Sequence, residues 1–206
     1  MEWRYTPDPI DYKTALEQMQ SRVKRIHLLQ QSELIWGLQH SPVFTGGTSA
    51  HPKDLLNSFG FPVHYVGRGG QFTYHGPGQL IIYAMVNLVK RNLDIKQYIL
   101  LLQQWIIDTL SHLNIKSVIH QDRIGVWVHN FEGKEEKLAA VGVRVSHGIT
   151  WHGFSVNVSP NLDHFKGIIP CGLHNFGITS LEKMNVKIKL EDLFKILKKF
   201  FPFEDC

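Results

Sequence analysis

Apolar side chains recur at helical spacing in three parts of the chain. The segment from Ile10 to Leu29 carries them three or four positions apart, which predicts an amphipathic helix. A second helix is predicted from Ile95 to Leu113, with Asp94 in front of it as a suitable N-cap. The third is predicted from Leu190 to Phe201 and ends at Pro202, because proline cannot continue a helix.

Shorter apolar runs between these helices predict strands. They are Leu34–Leu38, Pro62–Val66, Leu80–Leu88, Ser117–His120, Gly125–His129, Leu138–Val145 and Thr150–Val158. Pro62–Val66 and Leu80–Leu88 flank a glycine-rich stretch, and we expect them to pair across it. Ser41–Gly47 is predicted to be a loop, and Glu132–Glu136 a polar hairpin tip that delivers Lys137 to the start of a strand. The order of elements predicts an α+β fold with a mixed, largely antiparallel sheet flanked by helices.

The composition is that of a folded globular protein. With 206 residues and 43% apolar content, the chain is long for one domain and short for two, and we interpret 1–206 as a single domain. Charged residues interrupt the first twenty positions, so no signal sequence is expected. The longest apolar run, Leu80–Val86, is far below the ~20 residues that span a bilayer. We therefore expect a soluble, cytoplasmic protein without membrane contact.

The net charge is mildly basic, at +4 with a pI near 9.0. Much of the excess lies near the end of the chain, at Lys183, Lys187, Lys189, Lys195, Lys198 and Lys199. A solvated helix face is the ordinary explanation for such a run. A positive patch also attracts nucleic acids and acidic proteins, but the sequence has no nucleic-acid-binding signature. The charge therefore favours a protein partner over a nucleic acid.

The stretch from Arg68 to Leu80, RGGQFTYHGPGQL, is the strongest candidate for a binding loop. Glycine and proline with hydrogen-bonding side chains bring backbone amides close to a ligand. The pattern is neither a P-loop nor GxGxxG, which argues against a nucleotide. Within it, His75 either contacts a ligand or hydrogen-bonds the turn, and Arg68 either binds a ligand or forms a surface ion pair.

Cys171, between Pro170 and Gly172, is the candidate nucleophile. A free cysteine more often packs as a small apolar residue, so catalysis requires a partner that favours the thiolate. Lys137 is the best candidate, although a lysine at the start of a strand is ordinarily a solvated end. The second cysteine, Cys206, is expected to be a free thiol. The chain has 12 histidines but no HExxH or CxxC spacing, and its one CxxH pair, Cys171 and His174, has no second pair to complete a metal site. We expect neither a metal nor another cofactor.

Six segments, in order along the chain, carry a family resemblance. They are GRGGQFTYHGPGQLIIY at 67–83, GVWV at 125–128, KLAAVGVRV at 137–145, HGFSVNV at 152–158, FKGIIPCG at 165–172 and ITSL at 178–181. Together they resemble the LipB-type octanoyltransferases of lipoate biosynthesis. That family is similar in fold to the catalytic domain of the lipoate and biotin protein ligases, an α+β domain around a mixed sheet.

The resemblance implies a role for each matching residue. Cys171 would form an acyl-thioester intermediate, and Lys137 would tune its reactivity. The acyl chain and its carbonyl would be held by Arg68, Gly69, Gly70, Gln71, Phe72, Thr73, Tyr74, His75, Ala140, Val141, Gly142, Gly153, Phe154 and Ser155. Position 155 departs from the family, which more often has alanine there, so chain-length preference is open at this point.

The reaction implied is octanoyl transfer from octanoyl-acyl carrier protein to a lysine of a lipoyl domain. The acceptors would be the lipoyl domains of 2-oxoacid dehydrogenases and the glycine cleavage H protein. Two alternatives remain open. An ATP-dependent lipoate or biotin protein ligase would share the fold but need no nucleophilic thiol, so Cys171 argues against it. A non-catalytic module that binds acyl carriers would need only a basic surface and an apolar pocket.

Overall fold

The computed structural model describes residues 1–169 and 177–203. All three predicted helices form within these ranges: α1 (Tyr12–His27), α2 (Ile95–His112) and α3 (Leu190–Lys199). Asp94 caps α2 as predicted, since its carboxylate accepts from the backbone N–H of Gln97 at 2.8 Å. The Gln97 side chain accepts in turn from the Asp94 backbone N–H at 2.9 Å, which completes a capping box.

The strands of the described residues form two sheets. Their bounds are β1 (Glu2–Ile10), β2 (Leu34–His40), β3 (Val43–Gly46), β4 (Val63–Tyr65), β5 (Phe72–His75), β6 (Gln79–Met85), β7 (Val126–His129), β8 (Glu135–Ser146), β9 (Ile149–Asn157) and β10 (Gly177–Ile178). The large sheet has the order β1-β2-β6-β9-β8-β10, with β7 also paired to β8, and the small sheet has the order β4-β3-β5. The pairs β1–β2, β8–β10 and β3–β4 are parallel and the others antiparallel, so the predicted mixed, largely antiparallel α+β fold is confirmed.

Four local predictions were wrong. The strands at Pro62–Val66 and Leu80–Leu88 do not pair with each other: β4 pairs with β3, whereas β6 pairs with β2 and β9. The reason is that the glycine-rich stretch itself contains β5, which pairs with β3. The predicted loop Ser41–Gly47 was also wrong, because β3 lies within it. Ser117–His120 makes only an isolated bridge, from Val118 to Trp127.

The fourth error is the amino-terminal segment, where no strand was predicted although β1 occupies Glu2–Ile10. Pro7, Pro9 and several charged residues interrupt its apolar pattern. An edge strand tolerates prolines because one of its sides has no partner strand, and β1 is the edge of the large sheet.

Alternation along the strands gives the large sheet two different faces. Leu34, Trp36 and Leu38 of β2 pack with α1, together with Ile81 and Tyr83 of β6. The intervening Ile35, Leu80 and Ile82 pack in a second cluster with residues of α2 and α3. We call these the α1 face and the α2/α3 face.

No helix in the described part of the chain is long and apolar enough to cross a membrane.

Candidate active site

A cavity opens on the α1 face of the large sheet, under the glycine-rich stretch. Its wall includes all but one of the predicted substrate-binding residues: Arg68, Gly69, Gly70, Gln71, Phe72, Thr73, His75, Ala140, Val141, Gly142, Gly153, Phe154 and Ser155. Lys137 also lines it. The fold therefore brings together residues that are up to 87 positions apart in the sequence, from Arg68 to Ser155.

The floor of the cavity consists of small residues on β8 and β9. Ala140 lies opposite Ser155 in the strand register, and Gly142 lies opposite Gly153. A Cβ atom on Gly142 would come within 3.1 Å of the Gly69 carbonyl oxygen and 3.3 Å of Arg68 Cδ. Glycine at this position lets the loop pack directly on the floor. The floor and the loop together form a trough with apolar walls, which is the part of the cavity that we call the trough below.

Arg68 holds the loop in place. It is buried, and its guanidinium donates to the carbonyl oxygens of Thr45 at 2.7 Å, Gly69 at 2.9 Å and Gln71 at 3.0 Å. The Gly69 N–H then donates to the Val143 carbonyl oxygen at 2.9 Å, so the loop docks onto the edge of β8. A guanidinium suits this position because it presents several donors in a fixed plane.

Tyr74 is the one predicted substrate-binding residue that does not line the cavity. Its ring packs against Phe44 in the core under the small sheet, and its hydroxyl lies 2.7 Å from Nδ1 of His164. The neighbouring His75 does face the cavity, and its Nδ1 is 3.0 Å from the Gln79 side-chain oxygen. Burial holds the pKa of His75 well below its usual value, so the ring is neutral at pH 7.

Lys137 is the third residue of β8, not its first, and its side chain is buried with a relative exposure of 6%. Its Nζ donates to the Ile124 carbonyl oxygen at 3.1 Å and lies 4.7 Å from the centre of the Trp127 ring. Gly125 leaves room for the lysine side chain, because a Cβ there would lie only 3.1 Å from Lys137 Cε. The lysine is therefore not the solvated strand end that its sequence position would ordinarily indicate.

Cys171 and Cys206 lie outside the described residues, so the predicted pairing of Cys171 with Lys137 stays a prediction. The chain is described on both sides of Cys171. The Ile169 N–H donates to the Asp54 carbonyl oxygen at 2.8 Å. After the gap, Gly177 and Ile178 pair with Glu136 and Lys137. The segment that contains Cys171 thus rejoins the sheet beside Lys137.

Two tyrosine–histidine pairs near the cavity were not predicted. Tyr12 Oη lies 3.0 Å from Nε2 of His152, and Tyr83 Oη lies 2.6 Å from Nε2 of His40. Tyr12, Tyr83 and His152 line the cavity. Burial lowers the pKa of His40 to about 4 and that of His152 to about 3, and it raises the pKa of Tyr12 to about 12. All four side chains are therefore neutral at pH 7.

Sequence reasoning favoured a structural role for His152 and missed both pairings, because these positions have ordinary explanations. Tyr12 continues the apolar pattern of α1, and His40 is the last residue of a strand. His152 precedes a glycine and has φ +60°, an uncommon backbone conformation that sequence alone does not reveal. Within residues 1–169 and 177–203, no cluster of three or more His, Cys, Asp or Glu could hold a metal ion.

Comparison with known proteins shows the family. Residues 11–202 match the model of the lipoyl protein ligase A/B catalytic domain. An octanoyltransferase of Wolbachia pipientis wMel is 49% identical over 201 residues, covering 97% of each chain. An octanoyltransferase of Paramagnetospirillum magneticum is 43% identical over 202 residues, covering 98% of this chain and 95% of that protein.

Solved structures show the same fold at low sequence identity. A lipoate-protein ligase A bound with ATP has a TM-score of 0.74 at 13% identity and covers 98% of this chain and 84% of its own. A biotin protein ligase from Aquifex aeolicus has a TM-score of 0.52 at 12% identity, with coverage of 98% and 67%. These two ligases share the architecture, whereas the near relatives are named for octanoyl transfer. The chain belongs to the octanoyltransferases, acyltransferases built on the lipoyl protein ligase A/B catalytic domain.

Proposed function

We propose that this octanoyltransferase takes the octanoyl group from octanoyl-acyl carrier protein and transfers it to a specific lysine of lipoyl domains. The reaction would be the first step of endogenous protein lipoylation and would pass through an acyl thioester on Cys171. The observation that carries the proposal is the burial of the Lys137 amine in the cavity wall, beside the point where the Cys171-bearing segment rejoins the sheet.

Chain length supports a meeting of Cys171 and Lys137. Cys171 is six residues before Gly177, and an extended chain spans at most about 3.5 Å per residue. Its Cα is therefore within about 20 Å of Gly177, whose neighbour Ile178 is in register with Lys137. A lysine amine close to the thiol would remove its proton and stabilise the thiolate.

The first half-reaction exchanges one thioester for another. The Cys171 thiolate attacks the carbonyl carbon of the octanoyl thioester, and the bond from that carbon to the carrier sulfur breaks. The carrier thiolate takes the proton that Lys137 removed from Cys171 and leaves as a thiol. One thioester is formed for each one broken, so this step needs no ATP.

The second half-reaction forms an amide. The neutral amine of the acceptor lysine attacks the carbonyl carbon of the Cys171 thioester, and the bond to Cys171 sulfur breaks. The amine loses one proton through Lys137, and that proton restores the Cys171 thiol. The amide is more stable than the thioester, which drives the cycle forward.

The trough suits the apolar acyl chain. Its floor of Ala140, Gly142 and Gly153 carries little side-chain volume, and Ile81 adds apolar surface. Burying a methylene contributes about 0.8 kcal/mol, so an eight-carbon chain gains several kcal/mol from this enclosure. Backbone amides of the glycine-rich loop are candidates to stabilise the oxyanion.

The remaining parts of the proposal concern the molecule's setting. We assign residues 1–206 to one catalytic domain that works without a cofactor in the cytoplasm. The proposed acceptors are the lipoyl domains of 2-oxoacid dehydrogenases and the glycine cleavage H protein. An ATP-dependent ligase is the second candidate, since the fold is shared with a lipoate-protein ligase that binds ATP.

One assay separates the two candidates. The protein is incubated with a lipoyl domain and either octanoyl-acyl carrier protein without ATP or free octanoate with ATP. Octanoyl-lysine formed only from the carrier, without ATP, is the expected result. Product formed only from free octanoate with ATP would show a ligase. Lys137→Met should abolish transfer, whereas Lys134→Met, at an exposed hairpin lysine with a surface ion pair, is the control.

A further inference from the structure

Ser155 places a hydroxyl in the floor of the acyl trough. The residue is buried, with a relative exposure of 4%, and it lines the cavity between Ala140 of β8 and Ile81 of β6. Its hydroxyl makes no hydrogen bond with any described residue. Thr150, the other hydroxyl-bearing residue at a comparable burial on β9, instead donates to the Ala84 carbonyl oxygen at 2.8 Å.

The polar neighbours of Ser155 are already satisfied by one another. The Asn157 amide donates to the Thr179 carbonyl oxygen at 2.9 Å, and its side-chain oxygen accepts from Gln79 at 2.9 Å. Gln79 also donates to the Tyr74 carbonyl oxygen at 3.2 Å and accepts from His75. Ser155 therefore remains available to a molecule in the trough. From the loop, the buried side-chain oxygen of Gln71 also lacks a hydrogen-bond partner among the described residues.

The strand register places this hydroxyl near the reacting end of the trough. Nζ of Lys137 contacts Ile124, and the adjacent Gly125 approaches the Ala139 carbonyl oxygen, since a Cβ there would lie 2.8 Å away. The amine is thus beside the Ala139–Ala140 part of β8. Ser155 pairs with Ala140 one strand away, at a spacing of about 4.8 Å. With the thioester beside Lys137, as the proposed function has it, this register puts the hydroxyl beside the first few carbons beyond the acyl carbonyl.

We propose that Ser155 determines acyl specificity in this chain by hydrogen bonding an oxygen on the third carbon of the acyl group. The inference rests on the proposed transfer function and adds a substrate class to it, the 3-hydroxyacyl thioesters. An unsubstituted octanoyl chain leaves the buried hydroxyl without a partner, and that is unfavourable. A hydroxyl group on the third carbon supplies the missing partner. This pocket therefore discriminates less against 3-hydroxyacyl groups than a purely apolar pocket would.

The test compares three synthetic pantetheine thioesters as donors: octanoyl, 3-hydroxyoctanoyl and 8-hydroxyoctanoyl. Transfer to a lipoyl domain is measured as kcat/KM for the native protein and for Ser155→Ala and Ser155→Gly. Both variants remove the hydroxyl, and agreement between them excludes an effect of the alanine methyl group. The 8-hydroxyl group lies at the far end of the chain and controls for general polarity. Thermal unfolding checks that both variants fold.

The expected result is a fall of about tenfold in the ratio of 3-hydroxyoctanoyl to octanoyl transfer in both variants, with no matching change for 8-hydroxyoctanoyl. A 3-hydroxyoctanoyl ratio that stays within twofold of the native value would overturn the inference. An equal fall for both hydroxylated donors would also overturn it, because it would show only a general polarity effect. If the native protein transferred no octanoyl group at all, the proposed function itself would be contradicted.

Discussion

Lys137 Nζ donates a hydrogen bond of 3.1 Å to the carbonyl oxygen of Ile124. This contact places the amine in the cavity wall beside Gly125. The ring of Trp127 lies 4.7 Å from the same nitrogen and limits its movement further. The amine is thus held in one place in the cavity wall before any substrate binds.

Replacing Lys137 by arginine tests whether the amine transfers protons. Arginine preserves the positive charge, but its guanidinium does not lose a proton in proteins. If Lys137 is a proton shuttle, kcat for octanoyl transfer should fall roughly 10²–10⁴-fold. Near-native activity in a folded Lys137→Arg protein would show that positive charge alone suffices there.

Gly125→Ala tests the position of the amine without removing it. A Cβ at this residue would lie 3.1 Å from Cε of Lys137 and 2.8 Å from the Ala139 carbonyl oxygen. A small displacement of a catalytic group is costly, so we expect kcat to fall roughly 10–100-fold. Gly133→Ala is the matched control, because that glycine also has a positive φ but no atom within 4 Å of the added Cβ. Equal losses of kcat in the two variants would show that backbone strain, and not displacement of the Lys137 amine, causes the effect.

The sequence predicted the large elements because their patterns are long and regular. The helix at Ile95–His112 shows both the apolar spacing and the Asp94 cap, and the structure has both. By contrast, β5 has four residues and lies between glycines, where composition favours a loop. It pairs with β3 in a register that puts Thr73 opposite Thr45, and no local pattern encodes this long-range pairing.

The candidate site was predicted by a different route. Resemblance identified the residues of the trough, whereas periodicity alone would have left Lys137 as a solvated strand end. The burial of its amine depends on Ile124 and Trp127, which reach it through the pairing of β7 with β8. The Tyr12–His152 and Tyr83–His40 pairs join separate elements, so only the folded chain reveals them.

The buried histidines should make stability depend on pH. In the unfolded chain each has a pKa near 6.5, whereas in the fold the pKa of His40 is about 4 and that of His152 about 3. Below pH 6.5 the unfolded state therefore binds more protons, and stability falls as the pH drops from 6.5 toward 4. At pH 4.5 each histidine accounts for a loss of roughly 2–3 kcal/mol in the free energy of unfolding.

Urea unfolding at pH 7 and pH 4.5 measures this loss. His40→Gln should reduce the difference between the two pH values, because one buried imidazole no longer titrates. His129→Gln, at an exposed position on β7, is the control and should leave the difference unchanged. Glu2 and Asp11, whose carboxyl pKa values are lowered by Arg22 and by the Thr14 backbone N–H respectively, add to the loss in all three proteins. An unchanged difference in His40→Gln would contradict the account.

The basic residues of α3 should not contribute to carrier binding. This helix packs on the α2/α3 face, whereas the cavity opens on the α1 face. The apparent KM for octanoyl-acyl carrier protein should therefore change less than twofold when Lys198 and Lys199 are both replaced by glutamine. A rise of tenfold or more at low ionic strength would show that the carrier reaches this face by electrostatic attraction.

The central claim is that the octanoyl group passes through Cys171. Intact-mass and peptide mass spectrometry after incubation with octanoyl-acyl carrier protein, without an acceptor, tests it most directly. The account predicts one added octanoyl group, located on Cys171 and absent from Cys171→Ser, with Cys206→Ser labelled like the native protein. Octanoyl found on Cys206, or transfer to a lipoyl domain that proceeds at the native rate in Cys171→Ser, would contradict it.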